Sequence, residues 1–261
     1  MNQEAMSRIK KLFEQKKERV LNVYCTAGYP NLNDTTRVIL ALEAGGADLI
    51  ELGMPYSDPL ADGPVIQASS TKALENGMSI AVLFEQLKDL RAKTSIPLVL
   101  MGYMNPVLQY GFERFCADAA KVGVDGLILP DLPAYEFETM YGEIVKQHGL
   151  DFIFLVTPET SKERLIQLDA LSSGFLYAVS SSATTGNDKD FGAVETYLKT
   201  LQAVPLQNPV LVGFGIKDKN TFDTACKYAN GAIIGTAYIK AIQESNEIES
   251  TTKQFLDQVL K

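Results

Sequence analysis

Apolar residues follow two alternating patterns along the chain: short continuous runs, and longer segments in which they recur every three or four residues. Short runs rich in Val, Ile and Leu are typical of strands buried on both faces, whereas the spaced segments are typical of amphipathic helices. The predicted strands are Val20 to Cys25, Ala47 to Ile50, Pro97 to Met101, Asp125 to Leu129, Asp151 to Val156, Phe175 to Val179, Pro209 to Val212 and Gly231 to Ile234. The pattern therefore predicts eight strands, each followed by a helix.

The predicted helices share apolar faces and local start or stop signals. One at residues 4 to 15 precedes the first strand, and Asn33 or Asp34 is expected to cap the next helix. The others are predicted at Val65 to Ala92 with a break near Gly77, Phe112 to Lys121, Tyr135 to Gln147, Lys162 to Ala170, Val194 to Gln202, from near Asp218 onward, and after the eighth strand.

Strands that alternate with helices through short loops predict parallel βαβ units. Eight such units in 261 residues predict an α/β fold, a (β/α)8 TIM barrel with an extra N-terminal helix, forming a single domain over residues 1–261. A doubly wound open sheet is the main alternative. We favour the barrel because no Gly-x-Gly-x-x-Gly follows the first strand and no second-domain boundary is visible.

The second predicted strand leads into a polar loop, Glu51-Leu-Gly-Met-Pro-Tyr-Ser-Asp-Pro-Leu-Ala-Asp-Gly-Pro64. Side chains alternate along a strand, so Glu51 faces inward if Ile50 faces a covering helix. An inward acid at the end of a parallel strand, with Asp62 on the following loop, has the arrangement of an acid/base pair. The structural alternative is a turn network of Asp and Pro, and for Asp58 that alternative remains open.

Glycines collect after the last three predicted strands. The loops are Ser180 to Gly186, Gly213 to Ile216, and Gly235 to Ala237. Free backbone N–H groups at glycine turns and helix N-termini favour anions, and barrels often bind phosphate after the seventh and eighth strands. We therefore expect a phosphate site there, although tight turns alone would also explain any one of these glycines.

Composition narrows the class of protein. The formal net charge of −8 disfavours nucleic-acid binding, and no apolar run is long enough for a membrane span, so we expect a cytoplasmic protein. The N-terminus is polar rather than a signal peptide. The three cysteines are widely spaced and are expected to be reduced structural thiols.

Several chemistries find little support in the sequence. The first six predicted strands contain no lysine for a Schiff base, and His148, the only histidine, precedes Gly149 at a predicted helix end. A histidine-based metal site is excluded, so no metal is expected, although Mg²⁺ held by Glu51, Asp58 and Asp62 remains an alternative. Tyr177 could be either a core aromatic or a pocket hydroxyl.

The chain resembles the tryptophan synthase alpha subunit family over nearly its whole length. The segment Glu51 to Pro64 closely follows the signature of that family. Supporting segments are Met101 to Pro106, Leu129 to Pro133, Gly213 to Ile216 and Gly231 to Thr236. The resemblance implies a cofactor-free lyase that splits indole-3-glycerol phosphate into indole and glyceraldehyde 3-phosphate by a retro-aldol step in tryptophan biosynthesis.

The resemblance also assigns roles to individual residues. Glu51 would protonate indole C3 and then accept the hydroxyl proton, while ionised Asp62 would hold the indole N–H. Tyr177 matches a tyrosine of the same pocket, and Phe214 would pack against the indole ring. The positions matching the phosphate site and its turns are Gly186, Gly213, Gly215, Gly235 and Thr236.

One loop departs from the family. Many members carry an arginine and a glycine where this chain has Ser181 and Ala183, although Thr-Thr-Gly186 follows as in the family. In the family this loop closes over the substrate, and its threonine, here Thr185, meets the catalytic aspartate.

The family acts with a beta subunit that carries pyridoxal phosphate and receives the indole. The resemblance thus implies an alpha2-beta2 heterotetramer in which the cofactor belongs to the partner. In resembling complexes the facing residues match Pro55, Tyr56, Asp58, Asn105 and Pro133. The alternatives are a free-standing lyase that releases indole, another phosphate-binding barrel of the same pathway, and a non-catalytic subunit that only activates its partner.

Overall fold

The computed structural model describes residues 6–179, 191–213 and 215–261, with the side chains of residues 191–193 left out. The strand segments are β1 Val20–Thr26, β2 Leu49–Gly53, β3 Leu98–Met101, β4 Gly126–Ile128, β5 Asp151–Phe152, β6 Leu155–Val156, β7 Leu176–Val179, β8 Val210–Gly213 and β9 Gly231–Ile234. The helices are α1 Arg8–Gln15, α2 Thr35–Gly45, α3 Pro64–Glu75, α4 Ile80–Leu87, α5 Met104–Tyr110, α6 Phe112–Lys121, α7 Ala134–Glu136, α8 Gly142–Gln147, α9 Lys162–Leu171, α10 Phe191–Gln202, α11 Lys219–Cys226, α12 Thr236–Ile242 and α13 Ile248–Leu260.

All the strand pairs in the described part of the chain are parallel. The strand order is β5-β4-β3-β2-β1-β9-β8-β7-β6, so the two ends of the sheet are the neighbouring segments β5 and β6. The residues between them continue both ladders: Ile153 N donates to Leu127 O over 3.0 Å, and Tyr177 N donates to Phe154 O over 3.0 Å. Residues 151–156 thus act as one interrupted strand that closes the sheet, and the predicted TIM barrel is confirmed.

The inner surface of the barrel forms its own apolar cluster. Val20, Leu49, Val99, Ile128 and Phe175 come from five different strands or their ends and are fully buried there. Helix α1 closes one end of this cluster with Ile9, which is also fully buried. Because these side chains fill the interior, the barrel is a packed core, and a site is expected toward the carboxyl ends of the strands.

Polar contacts fasten α1 to the barrel. Arg8 Nη1 donates to Asp125 Oδ1 over 2.8 Å, and Ser7 Oγ donates to Asp151 Oδ2 over 2.6 Å. Arg91 Nη2 also donates to Asp125, over 2.9 Å. The Asp125 side chain is nearly buried, so the two arginines compensate the loss of hydration of its charge.

The second, larger cluster lies between the sheet and the outer helices. Ile50 of β2 packs there, on the opposite side of the strand from Leu49, as the alternation predicts. Cys25 and Cys116 are buried free thiols and Cys226 is a half-buried one, so no disulfide crosslinks the chain. In the described ranges, no helix is both long and apolar enough to cross a membrane.

Several element boundaries differ from the sequence prediction. The predicted helix Tyr135 to Gln147 is interrupted by a π-helical turn at Phe137–Tyr141. Asp34 precedes α2, but its side chain makes no capping hydrogen bond, and helix α5 was not predicted. The segment from Val65 to Ala92 breaks as predicted after Glu75, and Ser79 caps α4 by accepting from Val82 N.

Candidate active site

Glu51 lies on the inner surface of the barrel, in the middle of β2. It is in register with Tyr24 of β1 and Val99 of β3. The Glu51 side chain is fully buried, and Asn22 Nδ2 donates to its Oε2 over 3.2 Å. Its other oxygen, Oε1, has no hydrogen-bond partner among the described residues. One carboxyl oxygen is therefore held by a hydrogen bond, while the other is a buried polar atom that no described residue satisfies.

Burial changes the acidity of Glu51. Loss of hydration raises the pKa of its carboxyl group from 4.5 to about 8; the Asn22 hydrogen bond lowers it, and the charge of Asp62 raises it. Glu51 is therefore mostly protonated at neutral pH and exchanges its proton near the pH at which enzymes work. Both properties are those of a general acid that afterwards acts as a base.

Asp62 lies on the loop between β2 and α3 and is half-buried. Burial raises its pKa, while a hydrogen bond with the Tyr103 hydroxyl lowers it. The same hydroxyl accepts from Ala61 N over 3.1 Å, and Gln67 Nε2 donates to the Asp62 backbone carbonyl over 2.7 Å. These contacts hold Asp62 close enough to Glu51 for its charge to raise the Glu51 pKa.

Two tyrosines border the same space. Tyr24 and Tyr177 both have pKa values raised well above 10 by burial, and the charges of Glu51 and Asp62 raise them further. Tyr177 contacts the inner apolar cluster but remains half-buried. It is thus a core contact and a pocket residue at once, and the two alternatives left by the sequence do not exclude each other.

Glycines make room for both rings. A Cβ on Gly53 would lie 2.1 Å from the Tyr24 hydroxyl oxygen, and a Cβ on Gly213 would lie 2.2 Å from Tyr177 Cε2. Side chains never approach this closely, so each strand end must carry glycine for its neighbouring tyrosine to occupy its place.

The expected phosphate site is only partly described. Gly213 ends β8, Gly235 directly follows the adjacent β9, and Thr236 begins α12, so these residues lie at one end of two paired strands. Gly215 has a φ of 57°, a left-handed conformation that favours glycine. The predicted residues Thr185, Gly186 and Phe214, together with Ser181 and Ala183, lie outside the described residues.

The residues expected to face a partner lie on the segments that follow β2, β3 and β4, at the same end of the barrel, with Asn105 in the first turn of α5. Asn105 Nδ2 donates to the Tyr56 hydroxyl over 3.0 Å, and the Tyr56 ring lies 5.4 Å from the Tyr103 ring. Asp58 and Pro133 are exposed and Pro55 is half-buried. The Asp58 carboxylate accepts from Ser57 Oγ over 2.5 Å, which is the local turn contact that the structural alternative predicts.

The surface around these loops is apolar. Leu60 is 83% exposed, Tyr135 is 71% exposed and Leu108 is 49% exposed. Leu60 lies on the segment after β2, Leu108 on α5 after β3 and Tyr135 on α7 after β4, and large exposed apolar side chains at one end of a barrel are typical of a protein interface. Tyr103 connects this surface to the site, because its hydroxyl bonds Ala61 and Asp62 while its ring contacts Tyr56.

Three residues of this site were not singled out from the sequence: Asn22, Tyr24 and Tyr103. Strand alternation places Asn22 and Tyr24 on the same face of β1, and a lone amide within an apolar strand was an available signal. Tyr103 follows β3 directly, where the carboxyl ends of strands converge. In the described part of the chain, no group of His, Cys, Asp and Glu side chains is arranged to hold a metal ion.

Comparison with known sequences identifies close relatives. The family described as tryptophan synthase alpha chain matches residues 10–260. The tryptophan synthase alpha chain of Parabacteroides distasonis is 49% identical over 257 residues, which cover 98% of this chain and 98% of the relative. That of Flavobacterium johnsoniae is 54% identical over 242 residues, which cover 92% of this chain and 95% of the relative.

Solved structures agree with this result. A tryptophan synthase alpha chain from Legionella pneumophila superposes with a TM-score of 0.89 at 33% identity, covering 98% of this chain and 96% of that one. A chain of the tryptophan synthase complex from Pyrococcus furiosus gives a TM-score of 0.85 at 35% identity, covering 94% and 99% respectively. Sequence and fold therefore match over nearly the same residues.

Proposed function

The chain belongs to the tryptophan synthase alpha chain family, and on this premise we propose that it cleaves indole-3-glycerol phosphate into indole and glyceraldehyde 3-phosphate. Family membership makes it a lyase of tryptophan biosynthesis. The observation that supports the specific reaction is Glu51, a fully buried carboxyl group with a pKa of about 8 and one oxygen that has no hydrogen-bond partner among the described residues.

The proposed reaction begins with proton transfer from Glu51 to C3 of the indole ring. The ring then carries a positive charge on the N–H side, and ionised Asp62 stabilises this charge by accepting a hydrogen bond from the N–H. The Glu51 carboxylate next accepts the proton of the substrate hydroxyl group on the glycerol carbon that is bonded to C3. The bond from C3 to the glycerol carbon breaks, its electron pair returns to the ring, and the hydroxyl carbon becomes the aldehyde.

The phosphate group of the substrate would bind at the glycine turns after β8 and β9. Gly213 ends β8 and Gly215 follows with a left-handed backbone, while Gly235 precedes α12 and Thr236 begins it. Thr185, Gly186 and Phe214 complete this assignment by their match to the family. Backbone N–H groups suit this role in a chain of net charge −8, because they attract a phosphate without requiring a nearby lysine.

We also propose a beta subunit as partner, in an alpha2-beta2 assembly, docked on the surface formed by Pro55, Tyr56, Asp58, Asn105 and Pro133. The exposed Leu60 and the aromatic contact between Tyr56 and Tyr103 support this surface. The cofactor of the second reaction, pyridoxal phosphate, would be held by the beta subunit, and this chain would act without a cofactor.

The decisive experiment measures indole release from indole-3-glycerol phosphate by the purified chain, with and without an added beta subunit. Glu51→Gln and Asp62→Asn should each lower the rate by two to three orders of magnitude while the circular dichroism spectrum stays unchanged. Near-normal turnover in either variant would contradict the assigned role. Stimulation by the beta subunit distinguishes a complex-dependent lyase from a free-standing one, and a rate unaffected by Glu51→Gln in the complex would indicate a non-catalytic subunit.

A further inference from the structure

Asn22 is a buried amide in an otherwise largely apolar strand. It points into the barrel between Val20 and Tyr24, and its side chain is completely shielded from solvent. Burying an amide costs free energy unless its polar atoms are hydrogen-bonded. Its single side-chain hydrogen bond among the described residues is the one from Nδ2 to Glu51 Oε2, and Oδ1 has no partner there. An apolar residue would fill this position at a lower cost in free energy. The contact with Glu51 is therefore the feature that accounts for an amide here.

The two ends of an amide suit the two states of a carboxyl group. An ionised carboxylate only accepts hydrogen bonds, so it needs a donor such as Nδ2. A protonated carboxyl group carries an O–H that needs an acceptor, and Oδ1 is an acceptor without a partner in the described structure. A half-turn about the Cβ–Cγ bond exchanges the two ends of Asn22 without moving the backbone.

We propose that Asn22 is a positioning residue that holds the Glu51 carboxyl group in both protonation states, through Nδ2 when it is ionised and through Oδ1 when it is protonated. This inference rests on the proposed function only for its catalytic consequence. In the lyase reaction Glu51 loses its proton to C3 and regains one from the hydroxyl group, so its partner must serve both states within one turnover. The contact on Oε2 keeps Oε1 directed toward the substrate throughout.

The other groups around Glu51 do not supply this contact. Tyr24 and Cys25 on β1, Asp62 on the loop after β2, and Tyr177 on β7 are the titratable groups whose charges interact with Glu51. From β3, the residue in register is the apolar Val99. Within the described structure, none of these side chains makes a hydrogen bond to Glu51, so replacing Asn22 removes the contact altogether.

The test compares three variants of the full chain. Asn22→Leu keeps the size of the side chain but removes donor and acceptor together. Asn22→Thr keeps a hydroxyl that can donate and accept, on a side chain suited to a strand. Val20→Ala is the matched control, since it perturbs the same strand and the same inner layer two residues away without touching the Glu51 hydrogen bond.

Two readouts separate positioning from packing. The first is the Glu51 pKa, followed by ¹³C NMR of labelled glutamate carboxyl groups and assigned by difference from Glu51→Gln. Asn22→Leu removes the hydrogen bond of both states, but the bond to the charged carboxylate is the stronger of the two, so the Glu51 pKa should shift upward by about one unit. Asn22→Thr should shift it by less, and Val20→Ala not at all. The second is the pH profile of kcat, whose alkaline limb should move upward with the pKa while kcat falls about tenfold and KM stays near its original value.

A Glu51 pKa that is unchanged in Asn22→Leu would overturn the proposal. If that variant does not fold, Asn22→Val replaces it, since valine has the shape of threonine without a donor or an acceptor, and an unchanged Glu51 pKa in that variant would overturn the proposal equally. Because the NMR titration requires no turnover, the contact between Asn22 and Glu51 is tested even if the chain does not cleave indole-3-glycerol phosphate. Failure of the proposed function would appear separately, as an absence of indole release from the unmodified chain.

Discussion

Glu51 shows how one buried carboxyl group can support catalysis at the expense of stability. Its folded-state pKa of about 8 lies above the ordinary 4.5, so folding favours the protonated form. The stabilising contribution of this protonation is complete below pH 4.5 and is lost progressively as pH rises toward 8. An acid shifted in this direction opposes folding at neutral pH, which is the reverse of a carboxylate in a salt bridge.

We therefore expect Glu51→Gln to stabilise the protein at neutral pH. The amide has a similar shape and carries no charge, so the variant should gain about 3 kcal/mol in the free energy of unfolding at pH 7, at about 1.4 kcal/mol per pH unit above 4.5. Urea denaturation between pH 5 and 8 measures this. The gain should grow with pH, and an equal difference between the two proteins at pH 5 and pH 8 would show that the Glu51 pKa is not raised.

The same acidity predicts the pH dependence of catalysis. Above about pH 8 Glu51 has lost the proton that C3 requires, so kcat/KM for indole release should fall about tenfold per pH unit there. At acid pH the rate should fall as Asp62 becomes protonated, at a pH above the usual range for aspartate because burial raises the Asp62 pKa. A rate that is constant between pH 8 and 10 would argue against Glu51 as the proton donor.

Much of the site could be anticipated at the level of single residues, and the limits are physical. Alternation along a strand was sufficient to place Glu51 inside the barrel, and the loop pattern brought Asp62 close to it. Tyr103 could not be assigned in the same way, because its hydroxyl contacts Ala61 and Asp62 on the loop after a neighbouring strand. Such a contact depends on how two loops pack, which local sequence patterns do not specify.

Helix α1 shows what an element outside the repeating pattern contributes. Its Ile9 is completely buried at the end of the barrel, and the Phe13 and Phe175 rings lie 6.3 Å apart. Burying one such side chain contributes about 1.5 to 3 kcal/mol, and the ionic contacts of Arg8 with Asp125 then fix the orientation of the helix.

Ile9→Ala should consequently destabilise the fold without affecting the chemistry. The lost burial and the cavity beneath α1 together should lower the free energy of unfolding by about 2 to 5 kcal/mol. The KM for indole-3-glycerol phosphate should stay unchanged, because the functional residues lie at the opposite end of the strands. Chemical denaturation and steady-state kinetics on one preparation measure both quantities, with Met6→Ala, a 43% exposed neighbour, as the control. If Ile9→Ala lowers the free energy of unfolding no more than Met6→Ala does, the packing of α1 against the barrel does not stabilise the fold.

Gly213 at the end of β8 packs directly against the Tyr177 ring on β7, with no free space between them. Gly213→Ala would place its Cβ 2.2 Å from the Tyr177 ring, so the ring must move out of its position. We expect a loss of about 1 to 3 kcal/mol in stability and a raised KM, because Tyr177 borders the pocket. Gly63→Ala, where a Cβ would meet nothing within 4 Å, is the control for adding a methyl group. Equal effects of the two substitutions would contradict the close fit.

The element pattern was largely predictable because parallel strands buried on both faces produce clear apolar runs. Helix α5 was not predicted, and its Pro106 lies in the first helical turn, where the missing N–H of proline requires no partner. The interruption between β5 and β6 was also missed. Residues 152–156 form a continuous apolar run, and only hydrogen-bond geometry distinguishes two short ladders from one long one.

For the molecule as a whole, the functional residues and the expected partner surface occupy one end of the barrel. Leu60 lies on the same loop as Asp62, separated by one residue, and Tyr103 bridges that loop and the site. Docking at these loops would therefore act on the position of Asp62 through short, direct contacts.

Leu60→Asp tests this arrangement. The side chain is 83% exposed, so the substitution should leave stability unchanged while placing a charge in an apolar interface, and the affinity for a beta subunit should fall at least tenfold by isothermal titration calorimetry. Ile166→Asp on α9, at a 47% exposed position elsewhere on the barrel, should bind normally. Identical affinities for the two variants would place the partner on another surface.

The position of α1 also affects the order in which the protein can assemble during synthesis. This helix is translated before every strand of the barrel, yet the surface that receives it includes Asp125, Asp151 and Phe175. The ribosome must therefore add well over half of the polypeptide before the helix has a complete docking site. Until then its apolar face remains accessible, and nascent chains arrested before residue 175 should bind chaperones or be cleaved near their N-terminus more readily than the finished protein.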